Sequence, residues 1–215
     1  MAIKKGDFVE VDFTGSVKGA EVFDTTLKSV AEKENLDTKN IKPFALAVGF
    51  EMLPKGFDSD LIGKEVGKDY SVDIMPENAF GTRNKELVKM VPTKLFLEQR
   101  IRPERGMQLS LDGQVVKIVS VSGGRTLVDF NGPLAGKEIV YQYKVNRMIT
   151  DEKEKIDSIQ DFFFRRRFDS EIKQDKVIFK VPKEFEQYIN IFSDKFKEML
   201  GKEIGIEIVE LEQKK

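Results

Sequence analysis

Residues 46–63 carry a clear change in hydrophobic periodicity, and the rest of the chain is organised around them. Leu46 and Val48 alternate with smaller residues as in a strand, which stops at Gly49. An apolar knuckle follows at residues 52–54. Phe57, Leu61 and Ile62 then recur near helical spacing, and Gly63 ends the pattern. The pattern predicts a strand and one short helix. Because so short a helix is not stable alone in water, we expect a sheet beside it.

The segments before this stretch supply part of that sheet. Residues 8–14 alternate as a half-buried strand, which we expect to turn at Gly15 and to return over residues 17–23. Residues 27–41 have helical spacing with a charged face. We interpret them as an inserted helix or bulge of unassigned function.

The segments that adjoin and follow it supply the rest. Residues 43–48 lead into the central stretch as a strand, and residues 67–75 form another that ends at Pro76. Residues 138–148 alternate again and place four large side chains on one face: Ile139, Tyr141, Tyr143 and Val145. Together these strands predict an antiparallel sheet wrapped on the short helix, an α+β fold.

Residues 82–131 have a strand pattern of their own. Its elements are a strand at 87–91, a helical turn at 92–97, strands at 107–111 and 115–121 joined by an Asp112-Gly113 turn, a Gly123-Gly124 turn and a strand at 127–130. We therefore predict a separate small β domain, inserted between two strands of the first domain.

Residues 151–215 predict a C-terminal αβαβ module. Its elements are a helix at 156–164, a strand at 177–181, a helix at 182–201 and a strand at 204–209. Because small domains bury a smaller share of their surface, we expect some of its phenylalanines to face outward. The module then packs on the first domain, pairs with a second copy of itself, or does both. Arginines 165–167 suggest either nucleic acid or a solvated helix end, and the acidic residues nearby favour the helix end.

The composition excludes several kinds of catalytic and binding site. The 215 residues suffice for one large or two to three small domains. The 36 Lys and Arg nearly balance 37 Asp and Glu, so no global charge favours nucleic acid or a membrane surface. The absence of cysteine and histidine excludes disulfides, thiol nucleophiles, imidazole acid–base catalysis and the usual zinc ligands. With no apolar signal core and no stretch near the roughly 18 apolar residues of a membrane span, we expect a soluble, cytoplasmic protein.

Three segments resemble, in order and spacing, the motifs of the FKBP-type peptidyl-prolyl cis-trans isomerases. They are V-E-V-D-F-T-G-S-V-K-G-A-E-V-F-D-T-T at 9–26, V-G-F-E-M-L-P-K-G-F-D-S-D-L-I-G at 48–63 and P-E-N-A-F-G at 76–81. Further motifs resemble the SlyD-like and long archaeal members, which carry an insert-in-flap chaperone domain: V-P-T-K-L-F at 91–96, G-M at 106–107 and V-D-F-N-G-P-L-A-G-K at 128–137. The resemblance implies an isomerase domain at 1–81 and 132–150, with the chaperone insert at 82–131. It does not cover 151–215.

The resemblance also implies a site without metal or cofactor, because twisting an X–Pro bond breaks no covalent bond. The implied catalytic residues are Phe13, Asp24, Phe57, Phe80 and Tyr141. The implied substrate-binding residues are Phe23, Phe44, Met52, Leu53 and Pro54. In the insert it implies contacts with unfolded clients at Met90, Val91, Leu95, Phe96, Leu97 and Ile101, although the same stretch could be the insert's own core. On composition alone any single phenylalanine is more often core than site, and Asp24 could be a turn residue.

Two residues depart from the family's pattern. Pro54 has no N–H where the family offers a backbone donor, and Phe80 lacks the hydroxyl that binds the substrate carbonyl. Since such hydrogen bonds contribute about 0.5–1.5 kcal/mol net, we expect modest rather than abolished activity. Macrolide binding is affected more than catalysis.

We therefore expect a prolyl isomerase and folding chaperone that acts on unfolded protein segments and proline-containing peptides, without nucleic-acid or membrane partners and with a possible homodimer through the C-terminal module. The alternative is a holdase or assembly scaffold whose isomerase site is vestigial. A macrolide-type ligand-binding module is a third, weaker interpretation.

Overall fold

The computed structural model describes residues 2–111 and 113–209. The chain forms two compact units. One contains the residues up to Ser16, Val22–Val72 and the residues from Tyr141 onward, and the other contains Val17–Glu21 and Asp73–Val140. None of the helices described is both long enough and apolar enough to span a bilayer.

The strands are β1 (Phe8–Val17), β2 (Val22–Thr25), β3 (Phe44–Ala47), β4 (Asp69–Ile74), β5 (Val88–Pro92), β6 (Gln108–Leu111), β7 (Gln114–Ser122), β8 (Arg125–Asp129), β9 (Ile139–Met148), β10 (Asp169–Ile172), β11 (Lys176–Val181) and β12 (Glu203–Ile208). The helices are α1 (Lys28–Lys33), α2 (Lys55–Asp60), α3 (Thr93–Glu98), α4 (Glu152–Phe163), α5 (Glu186–Ile191) and α6 (Ser193–Leu200). Short 3₁₀ turns lie at Pro76–Asn78, Lys85–Leu87 and Lys183–Phe185.

A five-stranded sheet in the order β2-β1-β9-β4, with β3 also paired to β1, forms the body of the first unit. Strand β1 alternates as its sequence predicts, with Val9, Val11 and Phe13 buried. Helix α2 buries Phe57 and, just beyond its end, Leu61. The predicted α+β class with antiparallel sheets is confirmed.

The turn expected at Gly15 is wrong. Strand β1 runs through Gly15 to Val17, and the chain turns after it, where Gly19 has a φ of 71° and the Ala20 N–H donates to the Val17 carbonyl. The return strand β2 is accordingly shorter than predicted. Gly15 serves packing instead of turning, because a Cβ there would lie 2.7 Å from the Tyr141 ring and 2.8 Å from the Phe23 ring.

The second unit contains a four-stranded antiparallel sheet in the order β5-β8-β7-β6, within the stretch predicted as an insert. Its core is made by Phe96, Val116 and Val128. Helix α3 begins after Pro92, as predicted. Of the predicted Asp112-Gly113 turn, Asp112 lies outside the described residues, and Gly113 has a φ of 78°.

The C-terminal module, residues 151–215, contains one strand more than predicted. Strand β10 pairs antiparallel with β11, and β12 runs parallel to β11 on its other side. The sequence of β10, Asp-Ser-Glu-Ile, has only one apolar residue, so no alternation reveals it. The single helix predicted at 182–201 is divided into α5 and α6 at Phe192.

The expectation that phenylalanines of this module face outward is wrong. Their rings pack on one another: Phe164 stacks on Phe196 at 5.6 Å between ring centroids, and Phe179 lies edge-on to Phe196 at 5.4 Å. The predicted outward candidates are all buried or half-buried: Phe162, Phe163, Phe164, Phe168, Phe185, Phe192 and Phe196. Up to Val209, the large apolar side chains of the module that are classed as exposed rather than half-buried are Tyr188, Ile191 and Ile208.

Candidate active site

Three predicted site residues come together from distant parts of the sequence. Phe57 of α2 stacks on Tyr141 of β9 at 4.5 Å between ring centroids, with 29° between their planes. Phe13 of β1 lies edge-on to both rings, 5.8 Å from Phe57 and 5.6 Å from Tyr141. All three side chains are at most 4% exposed. We call these three residues, with Phe23 and Phe44, the aromatic cluster.

Phe23 and Phe44 form the half-buried edge of the cluster. Phe23 of β2 lies 6.0 Å from Tyr141, and Phe44 of β3 lies 6.4 Å from Phe13, both edge-on. Leu53 and Pro54, also predicted as substrate-binding residues, are half-buried as well. These four side chains are the rim of the site.

The knuckle at residues 52–54 is held by a residue that the sequence did not reveal. The carboxylate of Asp58, 2% exposed, accepts the backbone N–H of Gly49 at 2.8 Å and that of Glu51 at 2.8 Å. Glu51 needs this support, because its φ of 55° is unfavourable for a residue with a side chain. Met52 is buried, and its sulfur accepts the Ala47 N–H at 3.2 Å.

A second set of polar side chains fixes β2 to β1 beside the cluster. The Thr25 hydroxyl donates to the Phe13 carbonyl at 3.0 Å, and the Thr26 hydroxyl oxygen accepts the Phe13 N–H at 2.8 Å. Thr26 in turn donates to Asp12, which also accepts from the Asn146 amide. The Thr-Thr pair of the sequence motif thus holds the backbone on both sides of Phe13.

Asp24 lies at the solvent edge of the cluster. Neighbouring groups remove part of the hydration of its carboxylate, which raises its pKa, while the Thr25 N–H acts in the opposite direction. Burial raises the pKa of the Tyr141 hydroxyl, and the negative charge of Asp24 raises it further. At neutral pH the site therefore offers a neutral phenol close to the Asp24 carboxyl group.

Phe80 belongs to the second unit, where it follows the 3₁₀ turn at Pro76–Asn78 and is 41% exposed. It stays a sequence prediction as a catalytic residue. The same unit contains a cavity of about 230 Å³ lined partly by charged side chains: Arg83, Lys117, Asp129 and Lys137. Because these four charged groups share the wall with apolar residues, the cavity is less suited to a prolyl ring than the aromatic cluster is.

The residues predicted to contact clients divide by exposure. Met90, Leu95 and Leu97 are exposed by 61, 50 and 53%. Val91 and Ile101 are half-buried and pack on the insert's core, and Phe96, 3% exposed, is part of that core. In this structure Phe96 therefore supports the surface rather than belonging to it.

Two family models match the chain. One, described as FKBP-type peptidyl-prolyl cis-trans isomerase, matches residues 1–97. The other, described as FKBP26, IF domain, matches residues 89–134. The first match contains every residue of the aromatic cluster except Tyr141.

Curated proteins are similar over a longer stretch. The short-type peptidyl-prolyl cis-trans isomerase of Methanocaldococcus jannaschii is 35% identical over 154 residues, which cover 71% of this chain and 98% of that protein. The SlyD isomerase of Helicobacter pylori is 26% identical over 136 residues, 60% of this chain and 72% of that protein. The SlyD isomerase of Vibrio cholerae is 35% identical over 101 residues, 45% of this chain and 50% of that protein.

Proposed function

The chain belongs to the FKBP-type family of peptidyl-prolyl cis-trans isomerases, and we propose that its aromatic cluster is the site where it isomerises X–Pro bonds. The observation that carries this assignment is the Phe57–Tyr141 stack with Phe13 edge-on, an aromatic surface withdrawn from water. The isomerase domain is then formed by residues 1–81 and 132–150, as the sequence motifs predict.

The cluster suits the chemistry of the reaction. The planar X–Pro amide owes its barrier of about 18–20 kcal/mol to resonance, which is lost when the bond twists. The twisted carbonyl is less polar than the planar one, so water stabilises the ground state more than the transition state. Moving the amide from water onto aromatic rings therefore favours the twisted form. We propose that the prolyl ring enters between Phe23, Phe44 and Leu53 and rests on the buried rings.

Polar groups at this site position the substrate rather than react with it. The reaction forms and breaks no covalent bond, so a site without cysteine or histidine can perform it. Asp24 can accept a hydrogen bond from the peptide backbone, and the Tyr141 hydroxyl can donate one. These contacts offset in part the donor that Pro54 lacks.

We propose that the insert, residues 82–131, captures unfolded segments of protein clients. The exposed side chains of Met90 on β5 and of Leu95 and Leu97 on α3 support this role, because apolar side chains open to solvent are available to bind apolar segments of a client. The match of this stretch to an IF-domain model supports it as well. Binding a client there raises its local concentration at the isomerase site.

Fewer observations support the parts of this proposal that concern the C-terminal module and the cellular location. Exposed Tyr188, Ile191 and Ile208 support self-association through the module, and light scattering at rising concentration tests it. A cytoplasmic location agrees with a cysteine-free chain.

Two matched substitutions test the isomerase site. Phe57 and Phe179 are both 0% exposed, one in the cluster and one in the core of the C-terminal module. Phe57→Leu should slow isomerisation of a proline tetrapeptide at least several-fold, and Phe179→Leu should lose similar stability but keep its rate. Equal rates in the two variants would remove the cluster as the site.

A deletion separates isomerase from holdase. Replacing residues 82–131 by a short loop should leave tetrapeptide isomerisation largely intact while greatly slowing catalysis of a proline-limited refolding reaction. If the full chain suppresses aggregation but never accelerates tetrapeptide isomerisation, the holdase alternative is correct instead.

A further inference from the structure

Helix α4 of the C-terminal module lies against β3 and is attached along its length. Near its start, Arg147 bridges Glu154 of the helix at 2.8 Å and Glu10 of β1 at 3.0 Å. At its other end, the Asp161 carboxylate lies 2.8 Å from the ammonium group of Lys42. The seven-residue separation of Glu154 and Asp161 spans about 10 Å of helix. Helix α4 therefore runs from its contact with Arg147 toward Lys42, in the segment that precedes β3.

Strand β3 needs such support more than its neighbours do. Within the described residues it pairs with β1 alone, over four residues from Phe8↔Ala47 to Val11↔Phe44. The last of these pairs holds Phe44, the rim ring that lies edge-on to Phe13. Strand β3 begins at Phe44, and Lys42, two residues before it, joins this segment to α4 through its side chain.

Asp161 is itself fixed. The Arg167 guanidinium donates to both carboxylate oxygens, from Nε at 2.9 Å and from Nη2 at 2.8 Å. These bonds, with a smaller contribution from Lys42, lower the pKa of Asp161 to about 2, so it is ionised at every pH at which the protein would be assayed. A charge held in this way can position a flexible lysine, because only one partner loses conformational freedom on pairing.

We propose that Asp161 is a positioning residue for substrate binding: through Lys42 it fixes the start of β3, and so sets Phe44 at the rim of the isomerase site. This inference rests on the proposed function, since it gives Phe44 its role as a substrate contact. The C-terminal module then contributes to how firmly a proline peptide binds, although it supplies no group to the reaction.

The expected effect is on KM and is modest. Lys42 is 65% exposed, so the pair is screened by solvent. We expect Asp161→Asn to raise the KM for a proline tetrapeptide two- to fivefold, about 0.4–1 kcal/mol at 1.36 kcal/mol per tenfold, with kcat unchanged. Asparagine removes the charge that attracts Lys42 but also one of the two oxygens that accept from Arg167, whereas Lys42→Met leaves the Arg167 bonds in place. Lys42→Met should give the same rise, and the double variant should add nothing further.

The helix offers a matched control. Glu154 forms an exposed ion pair of the same length near the start of α4, with Arg147 of β9 rather than with the segment before β3. Glu154→Gln should leave KM unchanged. In about 1 M salt the KM of the unaltered protein should approach that of Asp161→Asn, because exposed pairs are screened, while the variant itself should respond little.

Two results would overturn the inference: an unchanged KM in Asp161→Asn and Lys42→Met, or an equal rise in Glu154→Gln, which would indicate general loosening of the helix. Failure of the proposed function looks different, because Phe57→Leu would then isomerise the tetrapeptide at the original rate. An unchanged KM in Asp161→Asn while Phe57→Leu is slow refutes only the role of the C-terminal module.

Discussion

Asp58 should determine both the stability of the first unit and the binding of substrate. Its buried carboxylate accepts the N–H groups of Gly49 and Glu51 and thereby shapes the backbone that leads into Met52, Leu53 and Pro54. Removing the carboxylate leaves both donors without their acceptor at a position where Glu51 already has a positive φ. We expect the loop to shift and the rim of the site to lose its shape.

The magnitude follows from the hydrogen bonds. A bond to a charged group contributes about 1.5–3 kcal/mol, and Gly49 and Glu51 lie near enough to the surface for water to replace part of each. For Asp58→Ala we therefore expect a loss of about 2–4 kcal/mol in the free energy of unfolding. At about 2–4 °C per kcal/mol for a chain of this size, Tm should fall by roughly 5–15 °C. Asp58→Asn keeps one acceptor and should lose about half as much free energy.

Thermal unfolding and tetrapeptide kinetics check this prediction together. KM should be lowest in Ser59→Ala, higher in Asp58→Asn and highest in Asp58→Ala. The change in kcat should be smaller, because the Asp58 substitutions affect the rim and not the buried rings. Ser59 is the control, since it is exposed and lies on the same helix. The reasoning is refuted if Asp58→Asn keeps both the Tm and the KM of the unaltered protein.

Two other predictions concern the cluster. Gly15→Ala should slow tetrapeptide isomerisation and lower the free energy of unfolding by about 1–3 kcal/mol, because its Cβ would displace the Tyr141 or Phe23 ring. Gly132→Ala is the control: a Cβ there meets no atom within 4 Å, so neither the rate nor the stability should change. The raised pKa of Asp24 means that the folded state holds its proton to higher pH than the unfolded chain, so stability falls as pH rises between the two values. In urea denaturation at pH 7, Asp24→Asn should therefore be more stable than the unaltered protein. It should lose that advantage below the ordinary pKa of an aspartate, and its isomerase activity should fall. If the variant and the unaltered protein were equally stable at both pH values, this account would be contradicted.

The rings of the cluster could be predicted from the sequence, whereas the groups that hold them could not. Phe13, Phe57 and Tyr141 each stand at an alternating or helical position beside a recognisable motif, so pattern and resemblance agree on them. Asp58 occupies a motif position too, yet its role depends on two backbone N–H groups that only the fold brings within reach. The turn wrongly placed at Gly15 has the same origin, since a glycine in an alternating run predicts a turn until its neighbours are known.

The C-terminal module shows where such prediction fails. Strand β10 has no apolar alternation, because it lies at the edge of its sheet and buries little. The size of the module alone predicts outward phenylalanines, but size does not reveal how many rings can bury one another. Phe164 alone contacts Phe168, Phe179, Tyr188, Phe192 and Phe196.

The polar side chains around the cluster share one property that bears on the mechanism. Asp58, Thr25 and Thr26 each bind backbone groups, and the carboxylate of Asp12 is occupied by Thr26 and Asn146. The aromatic cluster presents rings and the Tyr141 phenol, and the Asp24 carboxylate lies at its solvent edge. This separation of positioning side chains from the rings suits a reaction that twists a bond without breaking it. The transition state differs from the ground state chiefly in polarity, so the rate depends on how well the rings exclude water and how firmly they are held. Substitutions that loosen the frame should therefore impair the enzyme as surely as those that alter the rings.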